Sequence, residues 1–327
     1  MKRRAFLALA GGAFGGAPVA GRAQQSPSRI GFMYSGSAGS AASKRVIGYL
    51  KQGLADNGLT EGRDYVFDVR FADGDYQRFP AIARDLAQAG AKVILASTIP
   101  SVRAAQQLDP PVLVVITVVL DPVGNGPVDS LARPGRNTTG VGLLTADLSL
   151  KLLQIQRDVL PNARGVGFLY NPASPAGLVA LQKLQAQAGA LGFTVTPFAL
   201  RLPEELQGVF AAMADRPPDT LQIVQDAAVL DLAPRITELA LKQKLPTFAE
   251  SASIPGSGGL LSYGPQLQAL FLRAASYAAR IVRGAKVDDL PVEQPALFEM
   301  VINLRTAKAL GLALPPSLLA QASNVLE

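Results

Sequence analysis

The chain has 327 residues, 49% of them hydrophobic and 17% charged, with a formal net charge of +6. This length allows two domains with a sizeable core, and this composition excludes a generally disordered protein. The chain contains no His and no Cys. These absences exclude Ser-His and Cys-His nucleophiles, disulfides and the usual zinc ligands, and leave Asp, Glu, Lys, Tyr and oxygen-bound metals for catalysis. We expect no catalytic residue, no metal and no cofactor.

The N-terminus has the pattern of an export signal. Lys2-Arg3-Arg4 is a basic head, the apolar run that follows is broken by glycines, and Gly21-Arg22-Ala23 offers small residues for cleavage. We predict a twin-arginine signal peptide over residues 1–23, cleaved near Ala23, and a mature protein in the periplasm. A Sec signal or an uncleaved anchor is the alternative.

Cleavage at Ala23 would also change the charge of the protein. It removes four basic residues and no acidic one, which leaves 27 basic against 25 acidic residues, or about +2. No dense run of Lys and Arg remains, so we do not expect a nucleic-acid partner.

The first part of the chain alternates strand and helix patterns. Buried or alternating apolar runs predict four strands: Arg29–Tyr34, Tyr65–Phe71, Lys92–Ala96 and Val112–Ile116. Helical spacing predicts the segments between them: Ala41–Asn57, Arg78–Ala89 and Pro100–Leu108. Successive βα units imply right-handed crossovers and a parallel sheet.

The same alternation then starts again. The predicted strands of this second series are Gly165–Tyr170, Phe193–Leu200, Thr220–Val224 and Pro246–Ala249. The predicted helices are Ser149–Leu160, Ala176–Leu191, Pro203–Ala214 and Leu230–Lys244. The sequence therefore predicts an α/β protein with two Rossmann-like lobes, each built on a parallel sheet.

The C-terminal part fits neither series alone. A strand at Gly259–Tyr263, a long helix at Pro265–Arg283, an alternating segment at Phe298–Leu304 and a short helix at Thr306–Leu310 follow one another. A terminal helix is expected within Leu314–Glu327. Two sheets joined by about three crossovers, near 136–146, 250–262 and 286–297, account for the irregular connections.

The stretch Val112–Gly142 indicates where a ligand would bind. Its buried strand ends at a polar loop that begins with Asp121-Pro122, and ligands of open α/β sheets bind at the carboxyl ends of strands. We expect Asp121 to lie across the interlobe cleft from Asp226. We also expect Asn137–Leu144 to pass from one lobe to the other.

Six segments, in order along the chain, carry a resemblance to a known family. They are Asp121-Pro122-Val123-Gly124, Leu131-Ala132-Arg133-Pro134-Gly135, Asn137 with Thr139-Gly140, Gly259–Gly264, Pro291-Val292-Glu293-Gln294-Pro295, and Val301–Leu304 with Thr306–Gly311. The chain resembles, from about Arg29 to its end, the periplasmic substrate-binding proteins of ABC transporters, in the group related to tryptophan and tyrosine binders.

This resemblance implies a type I periplasmic-binding fold with three crossovers and a ligand held between two lobes. We place residues 29–140 and 263–287 in the N-terminal lobe, and 141–262 and 288–327 in the C-terminal lobe. The resemblance implies capture of a small solute, an amino acid, aromatic or otherwise, or a related small carboxylate. Hinge closure would trap this solute for an ABC permease at the inner membrane, and we expect a monomer.

A zwitterionic ligand needs donors for its carboxylate and an acceptor for its ammonium group. The candidate contacts are Tyr34, Ser35, Gly36, Ser97, Thr98, Ser101, Thr117, Asp121, Asn171, Gln225, Asp226 and Glu250. Asp226 is the preferred ammonium acceptor, and Tyr34 could stack on a ligand side chain or pack in the core.

Most of these residues also have a purely structural explanation. Ser35, Ser97, Thr98 and Asp226 could cap the helices that follow them. Asn171 could form an Asx turn, Asp121 could start a turn, and Glu250 could lie at the rim or hinge. Gln225 and Ala227 stand where we expect a small hydroxyl residue and Asn in relatives, so the specificity could differ from tryptophan or tyrosine.

Two other functions stay open at this stage. A periplasmic sensor would bind a solute in the same cleft but serve a signalling partner. An α/β enzyme would need a pair of carboxylates with displaced pKa values, and Asp121 with Asp226 is the one such pair that closure could bring together.

Overall fold

The computed structural model describes residues 26–143, 148–294 and 296–327. The predicted signal peptide, residues 1–23, lies outside them. The first series of strands and helices consists of β1 (Ser28–Tyr34), α1 (Ala41–Asp56), β2 (Tyr65–Phe71), α2 (Phe79–Gln88), β3 (Ala91–Ala96), α3 (Ile99–Gln106), β4 (Leu113–Leu120) and β5 (Thr138–Leu143).

The second series and the C-terminal part follow the same alternation more loosely. The second series is α4 (Leu148–Val159), β6 (Gly165–Tyr170), α5 (Pro175–Ala188), β7 (Thr194–Ala199), α6 (Leu206–Asp215), β8 (Thr220–Ile223), α7 (Ala227–Asp231), α8 (Ala233–Lys242), β9 (Thr247–Ala249), α9 (Ser253–Gly256) and β10 (Leu261–Pro265). The rest is α10 (Leu267–Val282), β11 (Val292–Glu293), β12 (Phe298–Asn303), α11 (Leu304–Ala309), α12 (Pro316–Leu319) and β13 (Asn324–Leu326).

The strands form two sheets, which confirms the predicted α/β architecture with two lobes. The first sheet has the order β11-β5-β4-β3-β1-β2 and is parallel throughout. The second has the order β13-β12-β10-β9-β8-β6-β7 and is parallel except for the pair β10–β12. We call the part built on the first sheet the first lobe and the part built on the second sheet the second lobe.

Local sequence explains why α1, the helix nearest the cleft, begins and ends where it does. Ser40 is its N-cap and accepts a hydrogen bond from the N–H of Ser43. Val46, Leu50 and Leu54 recur on one face, and all three are buried in the core of the first lobe. Gly58 follows with a φ of 73°, a left-handed conformation that ends the helix without steric cost.

The chain crosses between the lobes in three places. It leaves the first sheet after β5 and enters the second lobe at α4, through 144–147, which lie outside the described residues. It returns at Gln266, because α10 packs on the first sheet, where Leu270, Phe271 and Tyr277 share a core with Phe32 and Val93. It leaves again between β11 and β12.

These crossings correct the sequence-based boundaries. Asn137–Leu144 was expected to pass between lobes, but Thr138–Leu143 is β5, paired with β4. The crossover expected near 250–262 is wrong because β10 extends the second sheet beside β9, which moves the crossing to Gln266. Residues 288–293 join the first lobe, since β11 pairs with β5. The hydrophobic pattern predicts a strand but not which sheet it joins.

One glycine fixes the approach of β5 to β4. Gly140 has a φ of 128°, and a Cβ there would overlap the carbonyl oxygen of Ile116 and lie 2.7 Å from its nitrogen. We predict that Gly140→Ala lowers the free energy of unfolding by about 3 kcal/mol or more, because both the strain and the overlap act on the backbone. Urea unfolding followed by circular dichroism measures this change.

The control for this prediction is Gly48→Ala. Gly48 lies within α1, and a Cβ there would meet no atom within 4 Å. This substitution should raise stability by roughly 0.5–1 kcal/mol through helix propensity. A Gly140→Ala variant as stable as the parent would contradict the close backbone approach.

Candidate functional site

A cavity of about 460 Å³ lies between the two lobes. The carboxyl ends of strands from both sheets line it, as expected for parallel α/β sheets that face each other. In the first lobe, the lining residues at these strand ends are Tyr34-Ser35 at the end of β1, Ser97-Thr98 after β3 and Asp121 after β4. In the second lobe, they are Val224–Ala227 after β8 and Glu250-Ser251 after β9. The volume is within the range of small-molecule sites.

The structure brings most of the predicted residues to this cavity. The residues that line it are Tyr34, Ser35, Ser97, Thr98, Asp121, Gln225, Asp226 and Glu250. Asp121 and Asp226 therefore line one cavity from opposite sheets, as the sequence led us to expect.

Four predicted contacts do not line the cavity, and each has a structural reason. Ser101 forms a capping box with Thr98 at the start of α3. Thr117 is fully buried beneath the cavity wall, with its hydroxyl directed at the Ala96 carbonyl oxygen. Asn171 makes an Asx turn with the N–H of Ala173, and Gly36 faces the carboxylate of Asp231.

The carboxylate of Asp226 is buried and accepts hydrogen bonds from four donors of the protein. Oδ1 accepts the N–H groups of Ala228 and Val229 at 3.1 and 3.3 Å and the amide of Asn171 at 3.5 Å. Oδ2 accepts the hydroxyl of Tyr76, which belongs to the other lobe. Burial raises the pKa of Asp226, and these donors oppose the rise. Oδ1 therefore has no acceptor site left and Oδ2 keeps one, but the residue is only 5% exposed, which limits the access of an ammonium group.

Three other carboxylates at the cavity keep acceptor sites open. Asp121 accepts the N–H of Gly124 at 2.9 Å on Oδ1, and its Oδ2 accepts no hydrogen bond from the described residues. Glu250 accepts the Ser149 hydroxyl at 2.7 Å on Oε1, and Oε2 has one long contact, 3.4 Å from the N–H of Gln225. The side chain of Glu299, on β12, makes no hydrogen bond or ion pair with the described residues. Burial raises the pKa of both Glu250 and Glu299.

Two helices of opposite lobes begin at the cavity. α3 starts at Ile99 and α5 starts at Pro175, and the first two residues of each helix line the cavity. The first N–H groups of a helix have no intrahelical acceptor and carry a partial positive charge, which attracts anions. Beside them the hydroxyl of Ser35 is buried and has no hydrogen-bond partner among the described residues.

The remainder of the wall is largely apolar and was missed by the sequence analysis. α1 contributes Tyr49, α4 contributes Leu148, and α10 contributes Leu267 and Phe271. The rule that ligands bind at strand ends does not find these residues, because they lie on helix faces and at the return crossing. Glu299 was missed for the same reason, since it lies within a strand.

The part of the chain that the structure describes contains no group of three or more His, Cys, Asp or Glu able to hold a metal ion. Among the helices in these described ranges, none combines the length and apolarity needed to cross a bilayer.

Comparison with known proteins identifies the family. The sequence profile described as "ABC transporter substrate binding protein" matches residues 38–326. The chain belongs to this family. This substrate-binding protein is also 26% identical over 270 residues to a tyrosine-binding protein of Clostridioides difficile (strain R20291), a match that covers 82% of this chain and 77% of the relative.

Solved structures share the fold of this substrate-binding protein. An ABC domain from Streptococcus pneumonia in complex with L-Trp has a TM-score of 0.80 at 23% identity, covering 92% of this chain and all of the other. A ligand-free, open substrate-binding protein with adhesive properties from Clostridium difficile has a TM-score of 0.61 at 26% identity, covering 91% and 99%. The structures similar to this substrate-binding protein are thus solute-binding proteins of the type I periplasmic-binding fold.

The isolated carboxyl group of Glu299 yields a test by pH. Its pKa is raised in the folded chain, so ionised Glu299 costs free energy once the pH exceeds its ordinary pKa of 4.5. Glu299→Gln should therefore be more stable than the parent at pH 7 and equally stable near pH 4. Thermal unfolding of the ligand-free protein at both pH values measures the difference.

The matched control is Glu204→Gln, which changes the same group at an exposed position. It should leave the melting temperature unchanged at both pH values. An equal effect of the two substitutions would show that net charge, and not burial of Glu299, is responsible.

Proposed function

We propose that this protein captures an α-amino acid with an aromatic side chain in the interlobe cavity and delivers it to an ABC permease at the inner membrane. The observation that carries the proposal is the composition of the cavity. It combines two helix N-termini, three carboxylates with open acceptor sites and a largely apolar remainder that also includes Arg45 and Lys183, within about 460 Å³. These are the three chemistries that a zwitterion with a large apolar side chain requires.

The ligand carboxylate would lie between the N-termini of α3 and α5. The N–H groups of Ile99 and Ala176 are among those without an intrahelical acceptor, and both residues line the cavity. The unpaired hydroxyl of Ser35 supplies a further donor. Since the two helices belong to opposite lobes, a carboxylate held by both would favour the closed arrangement.

The ligand ammonium group would bind Glu250 rather than Asp226. Asp226, our preferred acceptor from the sequence, already has four donors, whereas Oε2 of Glu250 has one long contact. Glu299 would accept the polar hydrogen of the side chain, an indole N–H or a phenol O–H. The apolar body would pack against residues such as Tyr49 and Phe271.

The comparisons support an amino-acid ligand without fixing it. One relative is named as a tyrosine-binding protein, and one structural neighbour is a complex with L-Trp. The predicted signal peptide, residues 1–23, supports a periplasmic location. Delivery to a permease follows the family's role in ABC transport.

The test is a calorimetric titration with L-Trp, L-Tyr and L-Phe beside two analogues, tryptamine and indole-3-propionate. We expect at least one of the amino acids to bind, and both analogues to bind at least tenfold more weakly, because each leaves one charged site of the cavity unfilled. At 100 times the Kd, the bound amino acid should add about 2.7 kcal/mol to stability.

A variant of the proposed ammonium acceptor sharpens the test. Glu250→Gln should weaken binding of the amino acid but leave indole-3-propionate unaffected, because only the former has an ammonium group. Glu204→Gln, at the surface, is the control and should bind like the parent. If indole-3-propionate binds as tightly as L-Trp, the ligand is a simple carboxylate and the ammonium site at Glu250 is refuted.

A further inference from the structure

A second set of contacts joins the lobes outside the cavity. Asp231, the last residue of α7 in the second lobe, accepts two hydrogen bonds from the loop before α1 in the first lobe. Its Oδ2 accepts the N–H of Ser37 at 2.6 Å, and its Oδ1 accepts the hydroxyl of Ser40 at 2.7 Å. None of these three residues lines the cavity.

The loop of the first lobe is shaped to receive this carboxylate. Ser40 is the N-cap of α1, so Asp231 lies at the N-terminus of a sixteen-residue helix, where negative charge is favoured. Gly36 provides the space, because a Cβ there would overlap Oδ2 of Asp231 and lie 2.7 Å from the Tyr34 ring. The contact therefore combines charge, two donors and a close approach that glycine permits.

The short helix α7 connects this contact to the cavity. Asp226, just before its first residue, accepts the hydroxyl of Tyr76 from the first lobe, and Asp231 at its end accepts Ser37 and Ser40. Between these ends, Ala227 and Leu230 line the cavity. One face of α7 thus borders the ligand space while both ends are bound to the opposite lobe.

We infer that Asp231, Ser37 and Ser40 form an interlobe latch that stabilises the closed arrangement without contacting the solute. We define the latch as these three residues. Only the effect of the latch on solute retention rests on the proposed function; its effect on the ligand-free protein does not. Its contacts can form with the cavity empty, so the latch raises the closed fraction of the ligand-free protein. Opening must break it, so the latch slows solute release.

The surroundings of Asp231 agree with a role in the closed arrangement. Burial raises the pKa of its carboxyl group, with Ser40 and Ser37 acting in the opposite direction and Asp226 and Asp73 adding to the rise. A carboxylate that is partly desolvated against the other lobe gains from its two donors there. Opening would return it to water and separate it from both.

The first experiment measures the distance between lobes without any ligand. The chain has no Cys, so Gln52→Cys in α1 and Arg235→Cys in α8 place one label on an exposed site of each lobe. Pulsed electron resonance then gives the distance distribution. Asp231→Asn and Asp231→Ala should lower the ratio of closed to open molecules at least fivefold, while Asp215→Asn, an exposed carboxylate of the same lobe, should not change it.

An unchanged distribution in both Asp231 variants would overturn the latch. If the ligand-free parent is already fully open, the variants cannot lower its closed fraction, and the latch is overturned in the same way. Far-ultraviolet circular dichroism of each variant confirms that the fold is retained. Because this measurement needs no solute, it decides the latch even if no amino acid binds the protein.

The second experiment separates association from dissociation by stopped flow with the amino acid that binds. Asp231→Ala should raise the dissociation rate at least tenfold and change the association rate less than threefold. Gly36→Ala, which displaces the carboxylate from the opposite side, should have the same effect. The double variant should raise the dissociation rate no more than either single variant, because the single and double variants all break the same contact. Additive effects on the dissociation rate would overturn the latch.

Discussion

The buried carboxylate of Asp226 is the interaction on which the arrangement of the cleft depends. It binds the first N–H groups of α7, the amide of Asn171 after β6 and the hydroxyl of Tyr76 from the opposite lobe. A buried carboxylate is tolerated only when donors replace its water, and here the donors come from three separate parts of the chain. Asp226 therefore fixes where α7 begins and how closely the first lobe can approach it.

Because Asp226 binds groups of the protein, other carboxylates at the cavity are the candidates for binding a solute. An acidic residue at a strand end in a cleft suggests a ligand contact, but the buried carboxylate of Asp226 already accepts hydrogen bonds from four donors of the protein. Within the second lobe, acceptor sites stay open on Glu250, which follows β9, and on Glu299, which lies in β12. The second lobe thus uses one carboxylate to build the cavity and two others that can meet a solute. Burial raises the pKa of Glu299, as expected of a carboxyl group kept for binding and not for stability.

The sequence predicted the elements of this fold well, because buried strands and amphipathic helices leave strong periodic patterns. It also placed Ser35, Thr98, Asp121 and Glu250 at one cavity, since carboxyl ends of parallel strands share an edge. The sequence did not correctly predict, for every strand, which of the two sheets it joins. The pattern of β5 is compatible with either lobe, and only its pairing with β4, through Gly140, decides.

The remaining site residues escaped prediction for a different reason. Tyr49 and Phe271 have the spacing of ordinary core-facing residues of α1 and α10. Phe271 reaches the cavity because α10 returns to the first lobe, and Tyr49 because α1 lies along the cavity wall. The contact of Asp231 with Ser37 and Ser40 joins residues more than 190 positions apart. No local pattern encodes such a contact, because it depends on how the two lobes meet.

The three crossings mean that neither lobe is a continuous length of chain. The first lobe combines β1–β5 with α10 and β11, and α10 covers a face of the sheet that includes Phe32 and Val93. A fragment that ended after β5 would expose this face and lack the edge strand β11. A chimaera that exchanged one lobe for that of a relative would need three junctions, so recombination at a single point cannot transfer half of the binding cavity between members of the family.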